Sequence, residues 1–368
     1  MTVSIPEFRA ARCTRYRFRY SACRRCADAC PHDAVTLSDE GIALDAARCQ
    51  NCGLCVSACR TAALAAANLA PIDLLKRAIK LPAFSFACAP SQSEADAVVP
   101  CLGALDAATL AYLAKRRIPT ELRGSHHCPE CPHGSRGAAQ LALNLEALGN
   151  LRAAAGDAEP WIDIALPQPE AHDKPERSPF LAARRQLFRR FVGRAADALA
   201  QAGDPVEAQP IPDRAIRAGA PLLTEQRELL QIVGKTADGA SFVVASHEAL
   251  PLLDLELAPG CTACEACFRV CPTGALLVVE DTSSWALSFD VNRCVGCEVC
   301  LEACQPAVLR PTAMVDAVPG RSRIELHRLA KQRCARCDRF FISPEAREAR
   351  EACEVCTDDE DAFAAIFG

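Results

Sequence analysis

Twenty-four cysteines in 368 residues set the tightest limit on how this chain can fold. Two chemistries account for such a density: a disulfide framework in an exported chain, or metal held by thiolates in a reducing compartment. The first residues, MTVSIPEFRAARC, carry arginines but none of the apolar stretch of a secretory signal. Repeated Cys-x2-Cys spacing is a metal pattern. The expectation is therefore a cytoplasmic metal protein. With half its residues hydrophobic, the chain has enough apolar material for true cores. A net charge of −5 argues against a general nucleic-acid binder. No charge-free apolar run reaches the roughly 18 residues of a membrane span.

The cysteines fall into four groups that together use every one. The clearest reads Cys261-x2-Cys264-x2-Cys267-x3-Cys271-Pro272, then Cys294-x2-Cys297-x2-Cys300-x3-Cys304. This doubled run resembles the two-cluster bacterial ferredoxins over about 60 residues. In such proteins three closely spaced thiolates hold one face of a 4Fe-4S cube, and the distant cysteine beside proline ligates the other cluster. The resemblance implies one cube on Cys261, Cys264, Cys267 and Cys304, and a second on Cys294, Cys297, Cys300 and Cys271. A pair of zinc sites is the rival reading.

The same plan stands near the N-terminus with one departure. Cys49-x2-Cys52-x2-Cys55-x3-Cys59 is complete, and Cys23-x2-Cys26-x3-Cys30-Pro31 precedes it, but position 20 holds Tyr20. Cys13 is otherwise unassigned. One cube on Cys13, Cys23, Cys26 and Cys59 and another on Cys49, Cys52, Cys55 and Cys30 is one solution. A three-iron cluster on Cys23, Cys26 and Cys59 is the other. In both modules the segment between the half-motifs alternates and turns as a hairpin would.

The pairs Cys334-x2-Cys337 and Cys353-x2-Cys356, fifteen residues apart, suit a tetrahedral four-thiolate zinc site. The segment is similar to a zinc ribbon or a short rubredoxin, and iron is the rival metal. The tail from Pro344 carries eight acidic and two basic residues, a poor surface for a phosphate backbone.

Cys88, Cys101, Cys128 and Cys131 lie in a stretch that reads as α/β. Helix IDLLKRAIK leads to strand AFSFAC, a second strand AVVPCLG, helix LDAATLAYLAKRR, strand IPTEL, a His-Cys-Pro-Glu-Cys-Pro-His knuckle and a last helix from about Gly137. Cysteines just past strand ends stand where open α/β sheets build sites. Val99-Pro100-Cys101-Leu102-Gly103 followed by His127-Cys128-Pro129-Glu130-Cys131 resembles the small iron–sulfur (delta) subunit shared by hydrogenases and heterodisulfide reductases. That resemblance implies a 2Fe-2S cluster on the four cysteines. A zinc knuckle, a dithiol, and mixed ligation with His126, His127 or His133 stay open.

Prolines and charges over 156–180 read as a linker. Residues FLAARRQLFRRFVGRAADALAQ that follow place Leu187, Phe188, Phe191, Val192 and Ala195 on one face of an amphipathic helix. Arg184-Arg185 is too far inside the chain for a twin-arginine signal. Gly234-Lys235-Thr236 lacks the earlier glycine of a P-loop, and no dinucleotide fingerprint is present. Seven arginines against two acids in the first 30 residues are a solvated arm, a docking surface, or cations that raise nearby cluster potentials.

The expected fold class is α+β multidomain: a ferredoxin module over 1–70, an α/β domain over 71–155, linker and helix over 156–245, a second ferredoxin module over 246–312 and a zinc-ribbon-like domain over 325–368. The function expected is single-electron relay by four 4Fe-4S clusters and a 2Fe-2S centre, with a zinc site besides. The resemblances imply a larger redox partner of hydrogenase, heterodisulfide-reductase or molybdopterin type. Two alternatives are a disulfide or thiol reductase acting at Cys128 and Cys131, and a structural or regulatory metal-binding protein.

Overall fold

The alternating run after Cys30 forms the hairpin that its pattern predicts. A computed structural model of the chain describes residues 5–66, 69–156, 160–167, 223–235, 240–317, 323–343 and 351–357. The amphipathic helix expected after residue 180, most of the linker and the end of the acidic tail lie outside these residues. No helix among the described residues is long and apolar enough to cross a membrane.

Each ferredoxin-type module is built from an outer strand pair and an inner hairpin. In the first, β1 (Glu7–Phe8) pairs antiparallel with β4 (Leu64–Ala65), and β2 (Val35–Ser38) pairs with β3 (Gly41–Leu44). Short helices α1 (Thr14–Arg17), α2 (Arg25–Ala29) and α3 (Leu54–Ser57) carry or flank its cysteines. A small apolar core of Ile42, Cys55 and Leu64, with Phe8, Val35 and Cys26 against it, closes the module.

The central unit is a fully parallel sheet in the order β6-β5-β7-β8, made of β5 (Phe84–Cys88), β6 (Ala97–Val99), β7 (Thr120–Arg123) and β8 (Ile164–Ala165). All five residues of β5 are buried, as expected of a parallel strand covered on both faces. Helices α4 (Pro71–Ala78), α5 (Ala107–Lys115) and α6 (Gly134–Ala155) complete the α/β unit. Proline opens α4, where its missing N–H costs nothing. Asp106 caps α5, accepting the Thr109 N–H at 2.9 Å. The last helix begins three residues before the expected Gly137, because His133 ends the knuckle and enters the helix directly.

Helix α7 (Glu225–Val233) was not foreseen. Thr224 caps it, and Leu229, Leu230 and Val233 bury one face in the main core. Lys115 Nζ of α5 donates to its Val233 carbonyl at 2.8 Å.

The second module repeats the plan. Here β9 (Val243–Ala245) pairs with β14 (Met314–Asp316), and β10 (Leu255–Leu257) with β13 (Leu309–Pro311). The inner hairpin is β11 (Leu276–Glu280) with β12 (Ser284–Phe289), and short helices α8 (Ala266–Val270) and α9 (Val299–Glu302) carry cysteines. Asp281 shapes the hairpin turn by accepting the Ser283 and Ser284 N–H groups at 2.7 Å. The hairpin does not end the sheet. Strand β15 (Ile324–Arg333) adds to β12, and β16 (Phe340–Ile342) adds to β15. The knuckle Cys334–Cys337 sits at the β15–β16 turn, so it is continuous with the sheet of the second module.

Candidate metal centres

Local backbone geometry shapes each cysteine loop. In Cys49–Cys55 the residues on either side of Cys52, Asn51 and Gly53, have φ of 51° and 79°. Ala263 and Glu265 flank Cys264 in the same left-handed conformation, as do Gly296 and Glu298 at Cys297. Such φ values are unfavourable for side-chain-bearing residues, and they turn successive sulfurs to one side. The departing loop Cys23–Cys26 has no left-handed residue of this kind; Arg24 has φ −128°. The lone cysteines share a second signature. Three residues after Cys30, Cys59, Cys271 and Cys304 come Asp33, Ala62, Gly274 and Ala307, all with positive φ. The next N–H then donates back to sulfur at 3.3 Å: Ala34 to Cys30, Ala63 to Cys59 and Ala275 to Cys271.

All 24 cysteines are free thiols in a structure without disulfides. One pocket of the first module is lined by Cys13, Cys23, Cys26 and Cys59 together, so Cys13 reaches the place that Tyr20 does not. Tyr20 is 69% exposed. Burial pushes the Cys13 thiol up to about 11 and Cys26 to about 12. Cys30, Cys49, Cys52 and Cys55 act on one another in the other half of the module. In the second module one pocket gathers Cys261, Cys264, Cys267 and Cys304. Cys271, Cys294, Cys297 and Cys300 form the neighbouring set. Burial there raises Cys267 and Cys294 to about 12. Thiols so buried and so mutually repelling have no stable charged state alone. A cationic cluster core would supply the missing counter-charge, and this donor set fits one. Arg17 gives independent support. Its guanidinium is buried beside the Cys271 and Cys297 sulfurs, and its Nη1 has no hydrogen-bond partner.

The central cysteines converge at the carboxyl ends of the parallel strands. Cys88 ends β5, Cys101 follows β6, and Cys128 and Cys131 follow β7. Together with His127 and His133 they line one pocket. Gly103 and Gly137 let α6 approach the Cys101 loop: a Cβ on Gly103 would stand 2.5 Å from the Gly137 carbonyl, and one on Gly137 would stand 3.0 Å from Cys101 Sγ. Buried Asn144 fixes that loop by donating to the Gly103 and Leu105 carbonyls at 3.2 and 2.8 Å. Of the two histidines, His133 Nδ1 lies 3.1 Å from His32 Nε2 of the first module. Burial lowers the pKa of both rings. Their ligating atoms and Cys52 Sγ lie within 4.8 Å of one another.

The sulfurs of Cys334, Cys337, Cys353 and Cys356 lie within 4.8 Å of one another. Cys334 accepts the Cys353 N–H at 3.3 Å, and backbone amides pull its thiol down to about 6.

Long-range contacts that the sequence does not disclose join these sites. Arg17 of α1 donates to the carbonyls of Arg269, Val270 and Cys271 at 3.1–3.2 Å. Arg60 donates to His247 and Glu248 carbonyls at 3.2 Å, to Gly296, and to Glu298 Oε1 at 3.3 Å. Cys297 of the second module thereby lines the pocket of Cys13, Cys23, Cys26 and Cys59. On the opposite side, Cys52, Leu54 and Cys101 form one buried cluster, and Arg136 of α6 donates to the Cys30 carbonyl at 2.8 Å. No local sequence signal marks Arg60 as central, since its partners are distant in the chain.

Residues 21–63 and 260–308 each match the 4Fe-4S dicluster domain family. The match supports two ferredoxin-type 4Fe-4S modules. Cys13 lies before the first matched segment. No curated protein matches the chain.

Proposed function

We propose that this chain is an iron–sulfur relay that carries single electrons to or from a larger oxidoreductase. The observation that carries the reading is the unbroken succession of cysteine sites. The set Cys261/Cys264/Cys267/Cys304 adjoins Cys271/Cys294/Cys297/Cys300. That set adjoins Cys13/Cys23/Cys26/Cys59 through Cys297. Next come Cys30/Cys49/Cys52/Cys55, where Cys26 acts on Cys55. The series reaches Cys88/Cys101/Cys128/Cys131 through the buried cluster of Cys52, Leu54 and Cys101.

In this reading the first sixteen cysteines named hold four 4Fe-4S clusters, Cys13 replacing the ligand absent at Tyr20. When bound, such clusters supply one-electron couples tuned by hydrogen bonds to sulfur, burial and charge. The chain's own part is to hold the thiolates, to direct backbone N–H groups at them, and to exclude water. The central four cysteines fit a 2Fe-2S cluster, by position at the sheet's carboxyl edge and by their resemblance to the delta-subunit pattern. Cys334, Cys337, Cys353 and Cys356 form a structural zinc site with no open position.

The test is purification of the full chain without oxygen, followed by quantification of iron, sulfide, zinc, molybdenum, tungsten, nickel and flavin in whatever co-elutes. Iron and sulfide for four cubes and one 2Fe-2S cluster, one zinc, and a stoichiometric partner centre are the expected outcome. A chain without iron-based absorbance overturns the reading. Turnover of a disulfide by the isolated chain, lost in Cys128→Ser, would favour the reductase instead.

A further inference from the structure

Burying an arginine is costly unless its charge is answered nearby, and the buried arginines of the described residues gather around one cysteine site. Arg17, Arg60 and Arg227 are 3%, 8% and 0% exposed, and they are the buried arginines among the described residues. Each meets a different backbone segment of the same cysteine site. Arg17 binds the carbonyls of 269–271, ending at Cys271. Arg60 binds the Gly296 carbonyl between Cys294 and Cys297. Arg227, from α7, binds the Val291 and Asn292 carbonyls at 2.9 and 3.1 Å, just before Cys294, and the Ala317 carbonyl at 3.3 Å. No carboxylate pairs with Arg17 or Arg227 among the described residues. Arg60 shares Glu298 with Arg25, and that carboxylate is 45% exposed. Asp290 and Asp316 act on Arg227 from farther off. Burial lowers both Arg60 and Arg227 from the ordinary value, yet a guanidinium keeps its proton at neutral pH. Arg60 also lines the pocket of Cys13, Cys23, Cys26 and Cys59 together with Arg25, but Arg17 and Arg227 bind the backbone of the Cys271 and Cys294 segments, and the outer site of Cys261, Cys264, Cys267 and Cys304 has no buried arginine beside it. Its nearby arginine, Arg269, is exposed and paired with Glu265 at 2.5 Å.

We propose that Cys271, Cys294, Cys297 and Cys300 form the most easily reduced centre of the chain, where an electron comes to rest, because three buried guanidiniums converge on it. The inference rests on the cluster reading above. A thiolate-bound cube becomes more negative on reduction, and fixed positive charge in a low-dielectric surround favours that state. The arginines act as tuning and positioning residues. The site is second in the succession and touches the first module, so an electron held there sits at the junction of the two modules.

The experiment is a potentiometric titration of the full chain, prepared without oxygen and followed by electron paramagnetic resonance. The Cys297→Ser variant marks the signal of this site. The expected result is that the marked signal is the first reduced. Arg60→Gln lowers its reduced-to-oxidised ratio at fixed potential by about tenfold, which is about 59 mV for one electron. Arg227→Gln does the same, Arg60→Lys restores the wild-type value, and Glu298→Gln moves the signal the opposite way. Should Arg227→Gln fail to retain iron, the opposed signs of Arg60→Gln and Glu298→Gln decide. The proposal is overturned if another signal is reduced first, or if iron-complete Arg60→Gln and Glu298→Gln leave the marked signal in place. Iron and sulfide short of four cubes in the wild-type chain overturn the cluster reading itself.

Discussion

Cys13 reaches its pocket by a helical route. The other loops use left-handed residues to bring a first cysteine into line. Here a 3-10 turn over Ala10–Arg12 and helix α1 bracket Cys13, which is 8% exposed. In the proposed ligand set, Cys13→Ala removes one of four donors. Its expected outcome is loss of one cube, or its conversion to a three-iron form with a new signal in the oxidised protein. Unchanged iron and an unchanged spectrum would remove Cys13 from the set. The buried thiols also set a pH dependence. With pKa values raised to about 11 for Cys13 and about 12 for Cys26, Cys101, Cys267 and Cys294, the metal-free thiols are protonated at neutral pH. Metal binding must expel those protons. Reconstitution with iron and sulfide should therefore strengthen as pH rises from 6 to 8, measured as cluster occupancy at fixed iron. The cysteines were legible because their spacing is local. Arg17 was legible only as one of many N-terminal arginines, since its partners are more than 250 residues away.

At the scale of elements, hairpins and parallel strands followed their patterns because alternation and buried runs are local properties. Helix α7 did not stand out from its surroundings. Its nine residues carry three charges, and its apolar face is explained only by packing against α5 and the main core. Strand β15 was also hidden: the alternation Ile324-Glu325-Leu326 does not say which sheet the strand joins. Leu329 of β15 is 2% exposed opposite Trp285. Leu329→Ala should cost about 2–5 kcal/mol, read as a lower melting temperature, and should loosen the second module together with the four-cysteine knuckle. A knuckle that folded independently would leave that module unaffected. Gly103→Ala is the matching test in the α/β unit. Its Cβ would meet the Gly137 carbonyl, so a loss of about 1–3 kcal/mol is expected, with disturbance of the Cys101 pocket.

At the scale of the molecule, the two modules and the α/β unit are joined through their metal-site residues. Small modules with modest cores depend on ligation for stability. Removal of the clusters should therefore expose residues 5–66 and 250–310 to hydrogen exchange before β5, β6 and β7 open. Simultaneous opening of all three units would show that the shared core dominates. Sequence by itself determined the grouping of the cysteines, the doubling of the ferredoxin-type plan and the sheet-edge position of the central cysteines. Each of these depends on spacing within a few residues, or on apolar pattern within one element. Tertiary structure decided that Cys297 meets the first module, that Cys52 and Cys101 share one buried cluster, and that Arg17, Arg60 and Arg227 converge on one site. Those contacts join residues far apart in the chain, and they exist only because packing the modules together buries the segments between them.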